Sequence, residues 1–316
     1  FNPITAVSVY LNWLDQLITL AVPPKSISMA TAKELVAEFD NTFLFDNEAD
    51  MLKMFLDLIE DADVLSGWNS EGYDIPYTVN RITRILSKDD TRKFCLWGQF
   101  PKPRKFERFG AEQQTYDLIG RVHMDYMQLY RKYTYEERHS YSLDAISEHE
   151  LGERKTQFEG TLDQLYNQHF KTFIAYNRQD TALLDKLDKK LQFLDLANTL
   201  AHANTVLLQT TMGAVAVTDQ AIINEAHERG MVVPNRKQQL TDDNTQAAGA
   251  YVAYPKKGMS EWIGSVDINS LYPSAIRAMN MGPETVIGQL RPIMTDRYIK
   301  DNSAVAAATP PSPLPA

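Results

Sequence analysis

Hydrophobic and polar positions alternate at the start of the chain: Val7, Val9 and Leu11 stand against Ser8, Tyr10 and Asn12. A period of two marks a strand with one buried face. The stretch from Thr5 to Val22 therefore predicts a hairpin turning near Asp15. Asn12, Asp15 and Gln16 interrupt it, which argues against a membrane span. The period then changes. Glu48 to Glu60 reads as a helix with Leu52, Phe55 and Ile59 on one face and acidic residues at its positive end. Val64 to Gly67 is a short apolar strand, Trp68 to Asp74 is turn-like, and Pro76 suits the first turn of a helix through Ile82, Ile85 and Leu86. Strand, loop and helix in that order predict an α/β domain.

Residues 97–118 differ, with Lys102, Arg104, Lys105 and Arg108 among aromatics and prolines, and predict a protruding hairpin. Val122 to Met124 reads as a strand, Asp125 as a cap for the following helix, and Ser142 as the opening of another. Phe170 to Leu194 is the longest helical pattern. From Asp195 to about Thr245 the chain stays mostly helical, ending at Val232, Val233 and Pro234 before a polar loop. Gly249 to Tyr254 and Trp262 to Ile268 read as two strands. Asn302 to Ala316, rich in Ala, Pro and Ser, predicts a disordered or foreign tail.

A length of 316 residues suits one large domain plus part of another, and 44% hydrophobic with 23% charged residues fits a soluble globular protein. The net charge of -9 leaves a nucleic-acid partner open, because clustering of Lys and Arg matters more than their total. Carboxylates that hold divalent metals would also lower it. The single cysteine, Cys95, excludes an internal disulfide framework and fits a reducing compartment. No signal peptide is visible. The chain begins at Phe1 rather than Met, which predicts that sequence precedes it.

Three constellations bear chemistry. Val266-Asp267-Ile268 would deliver a carboxylate at a strand end, and Asn269 to Ser274 would then open a helix at Pro273. A carboxylate beside free backbone N–H groups is what a metal-bound triphosphate requires; the plain alternative is a strand-end Asp with Ser270 as an N-cap. Trp68 to Asp74 places Asp74 before Ile75-Pro76, where an Asp is also an ordinary helix cap. Tyr176 and Asp180, four apart, project from one helix face, and a surface pair would do the same.

Together these segments resemble family B DNA polymerases. DINSLYPSAIRAMNMGPET is similar to polymerase motif A, N-x-x-x-[FY]-D to the second exonuclease motif and Y-x-x-x-D to the third, in family order. The replicative polymerases of large tailed bacteriophages are the nearest branch. The resemblance implies a ribonuclease H-like 3′→5′ exonuclease domain (α/β) over 1–192 and a helical connection over 193–236. It also implies the start of an α+β palm over 237–299, with 300–316 as the tail. It implies that Asp74 and Asp180 bind metal, that Tyr176 orients the attacking water, and that Asn69 touches the unpaired 3′ end. At the polymerase site, Asp267 and the Ile268 backbone would bind metal. Asn269, Ser270, Leu271 and Tyr272 would meet the incoming nucleotide, with Tyr272 excluding a 2′-hydroxyl. Gly249, Ala250 and Tyr251 would contact template, and Lys102, Arg104 and Lys105 would lie on a hairpin that helps move the primer end.

Implied cofactors are Mg²⁺ or Mn²⁺, two per complete site. Implied partners are primer-template DNA, a single-stranded 3′ end, deoxynucleoside triphosphates and a sliding clamp, with no membrane. The implied location is the cytoplasm of an infected bacterium. The family's first exonuclease motif, D-x-E on a strand, has no counterpart: Asp46-Asn47-Glu48 precedes a helix instead. Motifs B and C are also missing, so the chain by itself is expected to lack polymerase activity and to show negligible exonuclease activity. The rivals are a stand-alone 3′→5′ exonuclease and a non-catalytic DNA-binding module.

Overall fold

The alternating start forms the expected hairpin. Strands β1 (Ala6–Leu11) and β2 (Gln16–Ala21) pair antiparallel, Leu11 opposite Gln16, with Asp15 in the left-handed region at φ 51°. Helix α1 (Met29–Val36) follows, and β3 (Thr42–Leu44) then adds to β2 in parallel. Helix α2 (Glu48–Leu58) leads to β4 (Val64–Gly67), and α3 (Asp74–Ile85) to a 3-10 turn over Asp89–Phe94. The expected hairpin is β5 (Lys102–Arg108) with β6 (Ala111–Asp117), antiparallel. Strand β7 (Val122–Asp125) returns to pair parallel with β4, Gly67 opposite Asp125. Helices α4 (Tyr126–Tyr133), α5 (Leu143–Leu151), α6 (Leu162–Gln168), α7 (Phe170–Leu191), α8 (Phe193–Asn204) and α9 (Ala214–Glu228) follow, and α10 (Leu271–Ala278) lies in the second unit.

This computed structural model describes residues 2–108, 111–235, 251–282 and 285–287, and divides the chain into two units, Phe1–Lys237 and Gln238–Ala316. In the first unit, neighbouring residues of β2 serve opposite cores. Leu20 packs with Met51, Leu52 and Leu56 of α2 and with Val79 and Ile82 of α3. Ala21 packs with Ala32 and Val36 of α1 and with Phe170 and Ile174 of α7. A strand's side chains alternate between faces, so helices cover both sides of the sheet. A third core joins Met124, Tyr126 and Tyr130 to Leu183 and Leu187 of α7. The mixed α/β expectation holds.

Local signals placed the helix ends. Asp125 and Ser142 cap α4 and α5 as expected, and Thr161 with Gln164 forms a capping box at α6. One boundary differs. The long helix stops at Leu191, because Gln192 turns left-handed at φ 54° and redirects the chain. That turn brings the Phe193 ring within 6.2 Å of Tyr126 and Tyr130 and within 5.6 Å of Tyr133.

In the second unit, Tyr251–Tyr254 and Trp262–Ile268 form no strand among the described residues. Val266 and Trp262 are almost wholly exposed. A strand has no internal hydrogen bonds and needs a neighbour, and no ladder partner stands beside these segments among the described residues. Gly249 and Ala250, the expected tail from Asn302 to Ala316, and most of the expected polar loop lie outside the described residues.

Candidate functional site

Strand β4 ends at Gly67, and the six residues to Tyr73 form a tight knuckle that opens α3 at Asp74. Asn69 sits left-handed at φ 59°, and its carbonyl accepts from the N–H groups of Gly72 and Tyr73. The Ser70 carbonyl accepts from Ile75 N, while Ser70 Oγ donates to the Gly67 carbonyl. Gly67 must be glycine: a Cβ there would lie 2.7 Å from Ser70 Cβ. Asp74 is the first helical residue rather than the cap, which is Tyr73, so the plain reading of Asp74 as a cap is corrected. Its side chain reaches solvent. Protein packed around the carboxyl nonetheless pushes its pKa up to about 6, and the Asp125 charge adds to the rise. An accessible carboxyl that gains from a nearby cation is the result.

Tyr176 and Asp180 lie on one face of α7, as their spacing requires, and meet a residue that local spacing did not reveal. Lys155 Nζ is 2.7 Å from Asp180 Oδ2 and 3.4 Å from the Tyr176 hydroxyl, and it stands over the Tyr176 ring. Phe158 packs edge-on against the same ring. The loop carrying Lys155 is tied down by its own N–H, which donates to Asp144 Oδ1 at 2.8 Å. Burial pushes Asp180 up despite Lys155. Burial also weakens the Lys155 ammonium, but the Asp180 hydrogen bond and charge more than offset this and raise its pKa. Asp180 Oδ1 is buried without a hydrogen-bond partner.

The register of α7 is set from beneath. Asn177 Oδ1 accepts from Ser8 Oγ, and the Arg178 guanidinium donates to Thr19 Oγ1 and Thr42 Oγ1. These bonds tie the helix to β1, β2 and β3 just where Tyr176 and Asp180 project.

The knuckle also borders a cleft of about 450 Å³ lined by Trp68, Asn69, Gln113, Arg131 and Tyr141 among others. The Arg131 guanidinium stands 4.1 Å from the Tyr141 ring centre, and Trp68 Nε1 donates to the Tyr141 carbonyl. Arg131 and Tyr141 were not singled out from the sequence, although the run from Tyr130 to Tyr141 mixes basic and aromatic residues. Lys155 offered no such signal; it lies 21 and 25 residues before its partners.

Lys102, Arg104 and Lys105 of β5 are exposed, but two of the three are engaged. Arg104 pairs with Glu71 of the knuckle and, at 2.8 Å, with Asp117; Lys105 pairs with Glu112 at 2.5 Å. Lys102 is exposed on the same strand. Asp267, Ile268, Asn269, Leu271 and Tyr272 are all exposed, and Tyr251 likewise. Ser270 occupies the N-cap position of α10, as the plain reading had it, but stands left-handed at φ 50° and makes no side-chain capping bond.

Asp46-Asn47-Glu48 serves structure, as its place before a helix suggested. Asn47 caps α2, and the Glu48 carboxylate takes two 2.6 Å bonds from Arg81 and one from Ile4 N. Its oxygens are committed. No group of three or more His, Cys, Asp or Glu suited to a metal occurs among the described residues. The partnerless Asp180 Oδ1 and the raised Asp74 carboxyl fit a divalent cation in donor chemistry, as part of a ligand set.

Residues 2–146 match the family model for the exonuclease domain of DNA polymerase family B, and residues 205–308 match the model for DNA polymerase family B itself. The chain is 31% identical over 271 residues to the DNA-directed DNA polymerase of Enterobacteria phage T4, covering 85% of this chain and 29% of that protein. It is 30% identical over 257 residues to that of Escherichia phage RB69, covering 81% and 28%. It is 29% identical over 280 residues to the DNA polymerase delta catalytic subunit of Bos taurus, covering 81% and 24%. The chain thus spans less than a third of the length of these relatives. With the α/β architecture of the first unit, the matches bear out a ribonuclease H-like exonuclease domain followed by the start of a polymerase palm. This chain belongs to the family B DNA polymerases, of which it carries exonuclease-domain and polymerase-domain sequence.

Proposed function

We propose that this chain is the part of a replicative, proofreading DNA polymerase that joins the 3′→5′ exonuclease to the first catalytic segment of the polymerase site. The observation that carries the exonuclease half is the Asp180 carboxylate, with one oxygen on Lys155 and the other buried and unpartnered beside Tyr176. The boundaries follow the sequence: exonuclease to residue 192, helical connection to 236, palm to 299.

Asp74 and Asp180 would hold Mg²⁺ or Mn²⁺, and bound metals would supply stabilisation of the attacking and leaving oxygens. Tyr176 would orient the attacking water through its hydroxyl, with Lys155 fixing that hydroxyl. The cleft beside Asn69 suits a single-stranded 3′ end: Tyr141 and Trp68 offer stacking surfaces and Arg131 a phosphate partner. In the second unit, Asp267 and the Ile268 carbonyl would hold metal, Asn269 to Leu271 would meet the triphosphate, and Tyr272 would exclude a ribose. Tyr251, with Gly249 and Ala250, would contact template, and Lys102, Arg104 and Lys105 the moving primer strand. The remaining partners would be primer-template DNA, deoxynucleoside triphosphates and a sliding clamp, and the place of action the cytoplasm of an infected bacterium. Among the described residues no helix is long and apolar enough to cross a membrane.

The family match over residues 205–308 stands against a stand-alone exonuclease. The test uses a polypeptide of the relatives' length that carries this segment. Asp74→Ala and Asp180→Ala should each abolish Mg²⁺-dependent digestion of single-stranded DNA from its 3′ end and leave primer extension intact. Asp267→Ala should do the reverse. Loss of both activities together, or of neither, in a folded variant would overturn the assignment.

A further inference from the structure

Asp125 is a buried carboxylate that touches the knuckle, and the metal roles proposed above do not use it. It is 6% exposed and carries no cation partner in its hydrogen bonds; its two oxygens face backbone N–H groups. Oδ1 accepts from Asn69 N at 3.1 Å and Met127 N at 3.0 Å, and Oδ2 accepts from Glu71 N at 3.1 Å. The Met127 bond caps α4. The other two reach across to the knuckle, because the parallel register sets Asp125 opposite Gly67, where β4 ends.

We propose that Asp125 is a positioning residue of the exonuclease site, a staple whose single carboxylate fixes the Asn69–Glu71 knuckle, and through it Asp74, to β7 and α4. The proposal rests on the exonuclease reading above. Its physical basis is donor count. Three N–H groups converge on one side chain, and only an ionised carboxylate presents acceptors to all of them. The knuckle contains a left-handed Asn69, a conformation that costs energy and persists where surrounding bonds enforce it. Asn69 and Glu71 are the residues held by N–H, and the Asn69 carbonyl in turn takes Gly72 N and Tyr73 N, the two residues before Asp74. The staple therefore acts on the first turn of α3 from three residues away.

Asp125→Asn separates this role from simple helix capping. Asn caps a helix as well as Asp does, so the Met127 bond survives, but its NH₂ must face a loop N–H and cannot accept from it. In the 316-residue chain, amide hydrogen exchange should quicken at least tenfold at Glu71 or Asn69, with Met127 and the core amide of Leu52 unchanged. Asp125→Ser, a shorter cap that cannot reach the loop, should quicken both; it also decides the matter if Asp125→Asn fails to fold. In the longer polypeptide, the Mn²⁺ concentration for half-maximal digestion of single-stranded DNA should rise by roughly 10- to 100-fold, the usual effect of losing an outer-shell partner, with primer extension unchanged. Unchanged exchange at Asn69 and Glu71 overturns the staple. Quickened exchange with unchanged Mn²⁺ dependence overturns its positioning role. A wild-type polypeptide that digests no DNA overturns the exonuclease reading and the catalytic half of this one, while exchange still decides the staple.

Discussion

Lys155 Nζ lies 2.7 Å from Asp180 Oδ2, whereas Oδ1 of the same carboxylate is buried with no hydrogen-bond partner. The chain's own cation thus balances one oxygen and leaves the other without a partner among the described residues. Both side chains are about three-quarters covered, so each depends on the other for its charge.

Replacing Lys155 by Met should therefore leave Asp180 as an uncompensated carboxylate. We expect a loss of about 1–3 kcal/mol at pH 7, the range for stranding a partly buried polar partner. Lys155→Met with Asp180→Asn should recover most of it, because neither charge then remains. Urea unfolding of the two variants and the wild type measures both; an unchanged midpoint for Lys155→Met contradicts the pairing.

Asp74 and His123 should oppose each other in mild acid. Protein packed around the partly solvent-exposed Asp74 carboxyl raises it from its ordinary value of 3.8 to about 6, so its contribution to stability is present at low pH and is lost as pH rises through about 6. Burial lowers His123 from 6.5 to about 4, so its contribution is present above about 6.5 and is lost as pH falls toward 4. Relative to wild type, Asp74→Asn should gain stability as pH rises from 4 to 6, and His123→Gln should gain it as pH falls across the same range. Thermal unfolding at several pH values checks the opposite slopes; slopes of one sign would refute the assignment.

Divalent metal should pull the Asp74 titration down. Carbon-13 carboxyl NMR of the metal-free chain should show a midpoint near 6. Saturating Mg²⁺ should shift it toward ordinary carboxylate values, because a bound cation favours the ionised form. A midpoint unmoved by metal would argue that Asp74 is not a ligand.

The Glu48–Arg81 pair is structural, with side chains only 13% and 9% exposed. Glu48→Gln or Arg81→Met alone should cost about 3–5 kcal/mol, the range for breaking a buried pair from one side. Calorimetry on each variant gives the value. Mn²⁺ affinity should stay at the wild-type level in any folded Glu48→Gln protein, which separates this D-x-E from a metal motif.

Much of the first unit could be read from local pattern. The two-residue period at Val7 to Leu11 required a hairpin, and Asp125 and Ser142 announced helix starts because a cap acts within one turn. Tyr176 and Asp180 share a face by helical geometry alone, and the wording of Asn69 to Asp74 and of Asp267 to Ser274 carried the family. What stayed hidden depends on distance in sequence. Lys155 reaches Asp180 only because α5 and α7 pack together, and Asp125 reaches Asn69 only because β7 returns beside β4. The break at Gln192 was invisible because its cause is the packing of Phe193 on three tyrosines. The strand pattern of Trp262 to Ile268 misled for the converse reason: period alone forms no strand without a neighbour. The chain's sequence by itself determined which side chains are candidates for the chemistry, since residue type and near spacing are local properties. Tertiary structure decided which charges meet, which carboxylate oxygen is buried without a partner and which side chain accepts from the knuckle's N–H groups, since those depend on contacts between segments far apart in the chain.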